Sequence, residues 1–162
     1  MINQLKIVMA SDHGGYQMKK ELKEYIESFG HIVEDIGTHS SARAEYPIYG
    51  RLAADKLAKD GFDRAVLICG TGFGISLAAN SVSGVRCVNC TDIYTAQMSR
   101  LHNNANAIAF GSRVIATEHA KILLETWLNT EFEGDRHIER VDMLTEMSLY
   151  PQAGAYTASM GS

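Results

Sequence analysis

The sequence predicts an α/β fold, a three-layer α/β/α sandwich on a five-stranded parallel sheet with a further helix at the C-terminal end. Three observations predict it. Strand-like and helix-like segments alternate along the chain. The strand-like runs are short, β-branched and almost uniformly apolar, as strands covered on both faces are. Glycines gather where strands would turn into helices.

The elements follow in order. Residues 5–11 (LKIVMAS) read as the first strand. Met18, Leu22, Tyr25, Ile26 and Phe29 then fall on one helical face, and Gly30 stands where a helix C-cap belongs. HIVEDIG is the second strand. Pro47 opens a helix whose buried side carries Tyr49, Leu52, Ala53 and Leu57. RAVLIC is the third strand, followed by a helix from Phe73 to Asn80. VRCVNC is the fourth strand, with a helix from Ile93 to Leu101. AIAFG is the fifth, and two helices follow, around Thr117 to Asn129 and Asp135 to Tyr150. Residues 1–150 read as a single domain and 151–162, small and polar, as a flexible or surface-draped tail.

Composition narrows the function. The chain has 162 residues, 46% of them hydrophobic, which is enough for one core without disulfide staples. A net charge of −4 argues against a nucleic-acid surface. No apolar run approaches the roughly 20 residues a membrane helix needs, and the N-terminus reads as a strand rather than a signal peptide. Three cysteines and no export signal suit a reducing cytoplasm. Cys87 and Cys90 spell CVNC, but residues three apart on a strand face opposite ways, so they read as packed thiols rather than a redox or zinc pair.

Five parallel strands fit the flavodoxin-like order 2-1-3-4-5 best, with ligands bound beyond the C-terminal ends of strands one and three. Those ends are Ser11-Asp12-His13-Gly14-Gly15 and Cys69-Gly70-Thr71-Gly72. The loop GTGFGI lacks both the third glycine of a dinucleotide fingerprint and the Lys-Ser/Thr of a P-loop. It reads either as a tight turn or as an anion cradle at a helix N-terminus. Cys69 ahead of it reads either as a buried strand-end thiol or as a base. Thiols at helix N-termini favour the thiolate, and a base beside an oxyanion cradle suits proton removal next to a carbonyl.

SDHGGYQMKKEL, DIGTHSSARAEYP, ICGTGFGISLAAN, SRLHNNANAIAFGSR and GDRHIERV together closely resemble the type B ribose-5-phosphate isomerase family, which is related to the galactose-6-phosphate isomerase subunits. The segments span residues 11–141. Some members replace the cysteine by a glutamate a turn later; with Ile75 there and Cys69 present, this chain resembles the cysteine subtype. The resemblance implies a metal-free, cofactor-free exchange of ribose 5-phosphate and ribulose 5-phosphate through a cis-enediolate. It implies Cys69 as the base, Thr71 serving the oxygens, His102 opening the sugar ring and Asp12 positioning it. Backbone N–H groups over Gly70, Gly72 and Gly74, with Asn103, would hold the enediolate, and Tyr46 would line the sugar pocket. His13, Arg113, Arg136 and Arg140 would bind the phosphate. Taken alone, His102 also reads as a helix C-cap and the arginine pair as a solvated face. A six-carbon sugar phosphate is the alternative substrate, and a flavodoxin-like binding module the alternative class.

Strand polarity adds one expectation. Cys69 and Asp12 belong to the C-terminal ends of their strands, whereas His102, Arg136 and Arg140 follow helices that run back to the far end. A homodimer, itself able to pair into a dimer of dimers, would bring both sets together in two shared sites.

Overall fold

The computed structural model describes residues 3–150, so the tail expected over 151–162 lies outside the described residues. The elements run β1 (Lys6–Ser11), α1 (Tyr16–Ser28), β2 (Ile32–Asp35), α2 (Tyr46–Lys59), β3 (Arg64–Cys69), α3 (Phe73–Asn80), β4 (Cys87–Asn89), α4 (Ile93–Leu101), β5 (Ala107–Gly111), α5 (Thr117–Asn129) and α6 (Arg136–Leu149). Every strand pairing is parallel.

The period-2 pattern of the strands divides the core in two. Ile7, Met9, Val66, Ile68, Ile108 and Phe110 pack under α1, α4 and α5, with Trp127 fully buried among them. Val8, Ala10, Ala65, Leu67, Ala107 and Ala109 face α2 and α3, where alanines let the helices lie close. Cys90 belongs to the first cluster and Cys87 to the second, so the two thiols of CVNC stand on opposite sides of the sheet. Burial raises the pKa of both.

The strand order is β2-β1-β3-β5-β4, which corrects the expected 2-1-3-4-5. The reason lies in the strands themselves. β5 is AIAFG, buried at every residue, and belongs inside the sheet. β4 has three residues, only the first fully buried, and tolerates an edge. The switch point between β1 and β3 stands, but the loop beyond β5, not the loop beyond β4, is the one beside Cys69.

Smaller corrections concern faces. Leu52 and Phe29 are exposed and Tyr25 is half-buried, with its hydroxyl donating to Glu125 at 2.8 Å. On α2 the expected Ala53 and Leu57 are buried and Tyr49 packs partly buried against the core, but Gly50 and Ala54 take the place given to Leu52, because α3 packs tightly there.

Asp12, Lys19 and Arg100 are all buried charged residues, and Lys19 is the deepest of them. Lys19 of α1 is fully buried, and its ammonium donates to Asp35 at the end of β2 and to Thr38 O at 2.6 Å. Asp35 in turn accepts from Gly37 N at 2.9 Å. Burial pushes the Lys19 pKa down, and Asp35 works against that shift. The same loop is tied to the end of β1, with Ser11 N donating to Gly37 O and Thr38 N to Ser11 O. Replacing Lys19→Met strands the carboxylate. Asp35 keeps some water, so the expected loss is at the low end for a broken buried pair, roughly 3 kcal/mol. Urea unfolding measures it, and an unchanged midpoint would show that the loop does not depend on this ammonium.

Candidate active site

β3 ends at Cys69, and the chain then turns through Gly70, Thr71 and Gly72 into α3. Gly72 takes φ 81°, a left-handed conformation that favours glycine, and a Cβ there would lie 2.7 Å from the Asn89 amide nitrogen. That amide donates to Thr71 O at 3.2 Å. Within the loop, Gly72 N donates to Cys69 Sγ at 3.1 Å and Phe73 N to Thr71 Oγ1 at 3.3 Å. The thiol is 3% exposed and already holds an N–H from the turn it precedes.

The loop beyond β5 locks against this turn. Ser112 N donates to Cys69 O at 2.9 Å and Arg113 N to Gly70 O at 3.0 Å. Gly111 makes the approach possible, since a Cβ on it would meet the Thr71 backbone at 2.5 Å. From the other side Asp12 N donates to Ile68 O at 3.2 Å, and Asp12 Oδ1 accepts from Gly15 N at 3.1 Å. His13 rests its Nδ1 against the Ala44 backbone, 3.1 Å from the carbonyl oxygen.

These loops enclose a cavity of about 320 Å³ lined by Asp12, His13, Gly14, Tyr46, Cys69, Gly70, Thr71, Gly74 and Arg113. Its volume is that of a small-ligand site. Eight of the thirteen residues expected at the site meet here. Gly72 lies buried behind the turn, where its N–H serves Cys69.

The other four are elsewhere. His102 caps the far end of α4, and its ring stacks on His137 with centroids 4.3 Å apart. Arg136 and Arg140 are exposed on the first turns of α6. Asn103 borders a separate depression with Asn89, Cys90 and Met98. Burial lowers the pKa of His137, helped by Arg136, His102 and Arg140, while Glu133 opposes the shift.

Two residues went unnoticed in the sequence. Asn89, at the C-terminal end of a parallel strand, braces the glycine turn, and its place in the strand was the available signal. Glu133 lies 3.9 Å from His102 Nε2, 3.5 Å from His137 Nε2 and 3.8 Å from Arg136. The sequence implied no metal, yet His102, Glu133 and His137 bring their donor atoms within 4.8 Å of one another.

Comparison with known proteins bears on this geometry. Residues 7–144 match the family model described as Ribose/Galactose Isomerase. The chain is 45% identical over 140 residues to ribose-5-phosphate isomerase B of Escherichia coli, covering 86% of this chain and 94% of that one. It is 41% identical to D-erythrulose-4-phosphate isomerase 2 of Mycolicibacterium smegmatis, covering 80% and 87%. The structure of Clostridium thermocellum ribose-5-phosphate isomerase B superposes with a TM-score of 0.88 at 42% identity, covering 91% of this chain and all of that one.

Proposed function

Because the chain belongs to the ribose/galactose isomerase family, we propose that it interconverts ribose 5-phosphate and ribulose 5-phosphate, with the cavity beyond β1 and β3 as its active site. The observation that carries the reading is the Cys69 thiol at the head of a turn rich in N–H groups, in one cavity with Asp12, Thr71 and Arg113.

The chemistry follows from that placement. With the ring open, the Cys69 thiolate takes the proton from carbon 2 of the aldose. The electron pair moves onto the carbonyl oxygen of carbon 1, giving a cis-enediolate. N–H groups of the Gly70–Gly74 turn stabilise the developing oxyanion, the kind of stabilisation in which prepositioned dipoles are strongest. Thr71 relays a proton from the oxygen on carbon 2 to that on carbon 1. The Cys69 thiol then returns its proton to carbon 1, leaving the ketose. Asp12 positions the hydroxyls, and Tyr46 walls the sugar. Arg113, with His13 at the mouth, supplies charge for the phosphate.

Ring opening by His102, the Asn103 contact and phosphate binding by Arg136 and Arg140 require a second copy of the chain. Two features support a homodimer with shared sites. These four residues are absent from the cavity lined by Cys69. Phe73 and Leu77 of α3 are 63% and 72% exposed beside Ile48 and Leu52, while α6 leaves Ile138, Leu144 and Met147 exposed. A partner laid over these faces would cover both and carry its α6 arginines to the strand ends. The buried free thiols and the metabolic substrate suit a cytoplasmic enzyme. Among the described residues, no helix is long and apolar enough to cross a membrane.

Incubation with ribose 5-phosphate in heavy water tests the activity. Deuterium is expected at carbon 1 of ribulose 5-phosphate, and a binding module would leave the sugar unlabelled. Run beside it, allose 6-phosphate and galactose 6-phosphate are expected to give the lower kcat/KM, and the reverse order would favour the six-carbon alternative. Cys69→Ala should keep the fold and lose about 100- to 10,000-fold in rate, the usual worth of a general base; retention of more than a tenth of the rate removes Cys69 from that role. The shared site is tested by unfolding and refolding Cys69→Ala together with His102→Asn. Random pairing makes about half the dimers mixed, each with one intact site of two, so activity should return to about a quarter of wild type. Mixed dimers without activity would put Cys69 and His102 to work in the same chain.

A further inference from the structure

We propose that His102, Glu133 and His137 form a binding site for a divalent transition-metal ion of the zinc type, and that occupation of this site inhibits the enzyme. Three observations carry it. The donor set is two imidazoles and a carboxylate, which suits Zn²⁺ or Co²⁺ and not Mg²⁺ or Ca²⁺, whose sites are built from oxygen. The donor atoms lie within 4.8 Å of one another, where a tetrahedral ion holds its ligands about 3.4 Å apart, so a small inward shift closes the set. And His137 Nε2 is buried without a hydrogen-bond partner, on a side chain 6% exposed, 3.5 Å from the Glu133 carboxylate. An ion between them satisfies that nitrogen.

The scaffold around the cluster is made, not incidental. Glu133 N donates to Leu101 O at 3.1 Å, which ties the segment before α6 to the end of α4 and sets Glu133 beside His102. Glu133 turns Oε1 toward Arg136 and Oε2 toward both histidines, so the two demands fall on different oxygens. Glu133 lies in the segment just before α6 and His137 in the first turn of that helix, and the turn through Gly134 and Asp135, both at positive φ, brings the Glu133 carboxylate to 3.5 Å from His137 Nε2. Arg136 and Arg140 stand close by and repel a second positive charge. The site is therefore reversible and not a structural centre, and the fourth position is left to water.

Inhibition follows from which residue is taken. An ion on His102 Nε2 occupies the lone pair that ring opening needs, and this half of the proposal rests on the reading of His102 given above. The binding half does not.

The test uses the full chain stripped of metal with EDTA and dialysed. Titration with Co²⁺ is expected to give one ion per chain, visible bands of a four-coordinate site and no thiolate charge-transfer band. Cys69→Ala should bind equally well. His137→Asn and Glu133→Gln should each weaken binding by more than the roughly 10- to 100-fold that loss of an outer-shell partner costs. Zn²⁺ should suppress turnover of ribose 5-phosphate, EDTA should restore it, and Mg²⁺ should do neither. Glu133→Gln, which no step of the reaction uses, should keep the metal-free rate and escape the inhibition. Absence of binding, a thiolate band, or binding indifferent to Glu133→Gln would overturn the site. Binding without inhibition would overturn the inhibitory half and count against His102 in ring opening. No turnover under any condition would refute the isomerase reading while the cobalt titration still decides the site.

Discussion

The site depends on one constraint, the meeting of three backbone segments at the C-terminal end of β3. Strand pairing brings β1 and β5 to either flank of β3, and beyond the last pairs the loops continue to bond one another. Ser112 and Arg113 donate to Cys69 O and Gly70 O, Asp12 donates to Ile68 O, and Ser112 Oγ donates to Gly14 O at 2.7 Å. No side chain fits at Gly111, against Thr71. The loops that carry Cys69, Asp12 and Arg113 are thus held in mutual register mainly by main-chain bonds. Lys19 does the same work one loop further out, where a buried ammonium replaces the missing strand contacts.

Much of this was readable in the sequence. Helix and strand positions followed from periodicity and from punctuation by glycine and proline, because both are local properties. Parallel pairing followed from strands that are apolar on both faces. Strand order did not follow, because it depends on which distant segments pair, and β4 is too short for its pattern to declare an edge. The difference changes what surrounds the cysteine. The order 2-1-3-4-5 would set Thr91 and Asp92 beside the cysteine, whereas the observed order delivers Ser112 and Arg113.

The separation of His102, Arg136 and Arg140 from the cavity was legible for a different reason. In a parallel sheet every strand points the same way and every crossover helix runs back, so counting elements is enough to assign each residue to an end. His102, Arg136 and Arg140 lie at the end so assigned, away from the cavity. Glu133 was not legible. It is one of several acidic residues in a short polar run, and only the fold sets it between two histidines.

The lengths of the strands carry one more consequence. The inner strands β1, β3 and β5 have six, six and five residues, while the outer strands β2 and β4 have four and three. β2 also ends in Glu34 and Asp35, and Glu34 is held by Lys56 at 2.7 Å. An edge so brief and so charged is a poor template for another chain, which is how soluble sheets avoid growing into fibrils. At high concentration in a crowded cell, the described edges of the sheet offer a neighbouring molecule little backbone on which to add a strand.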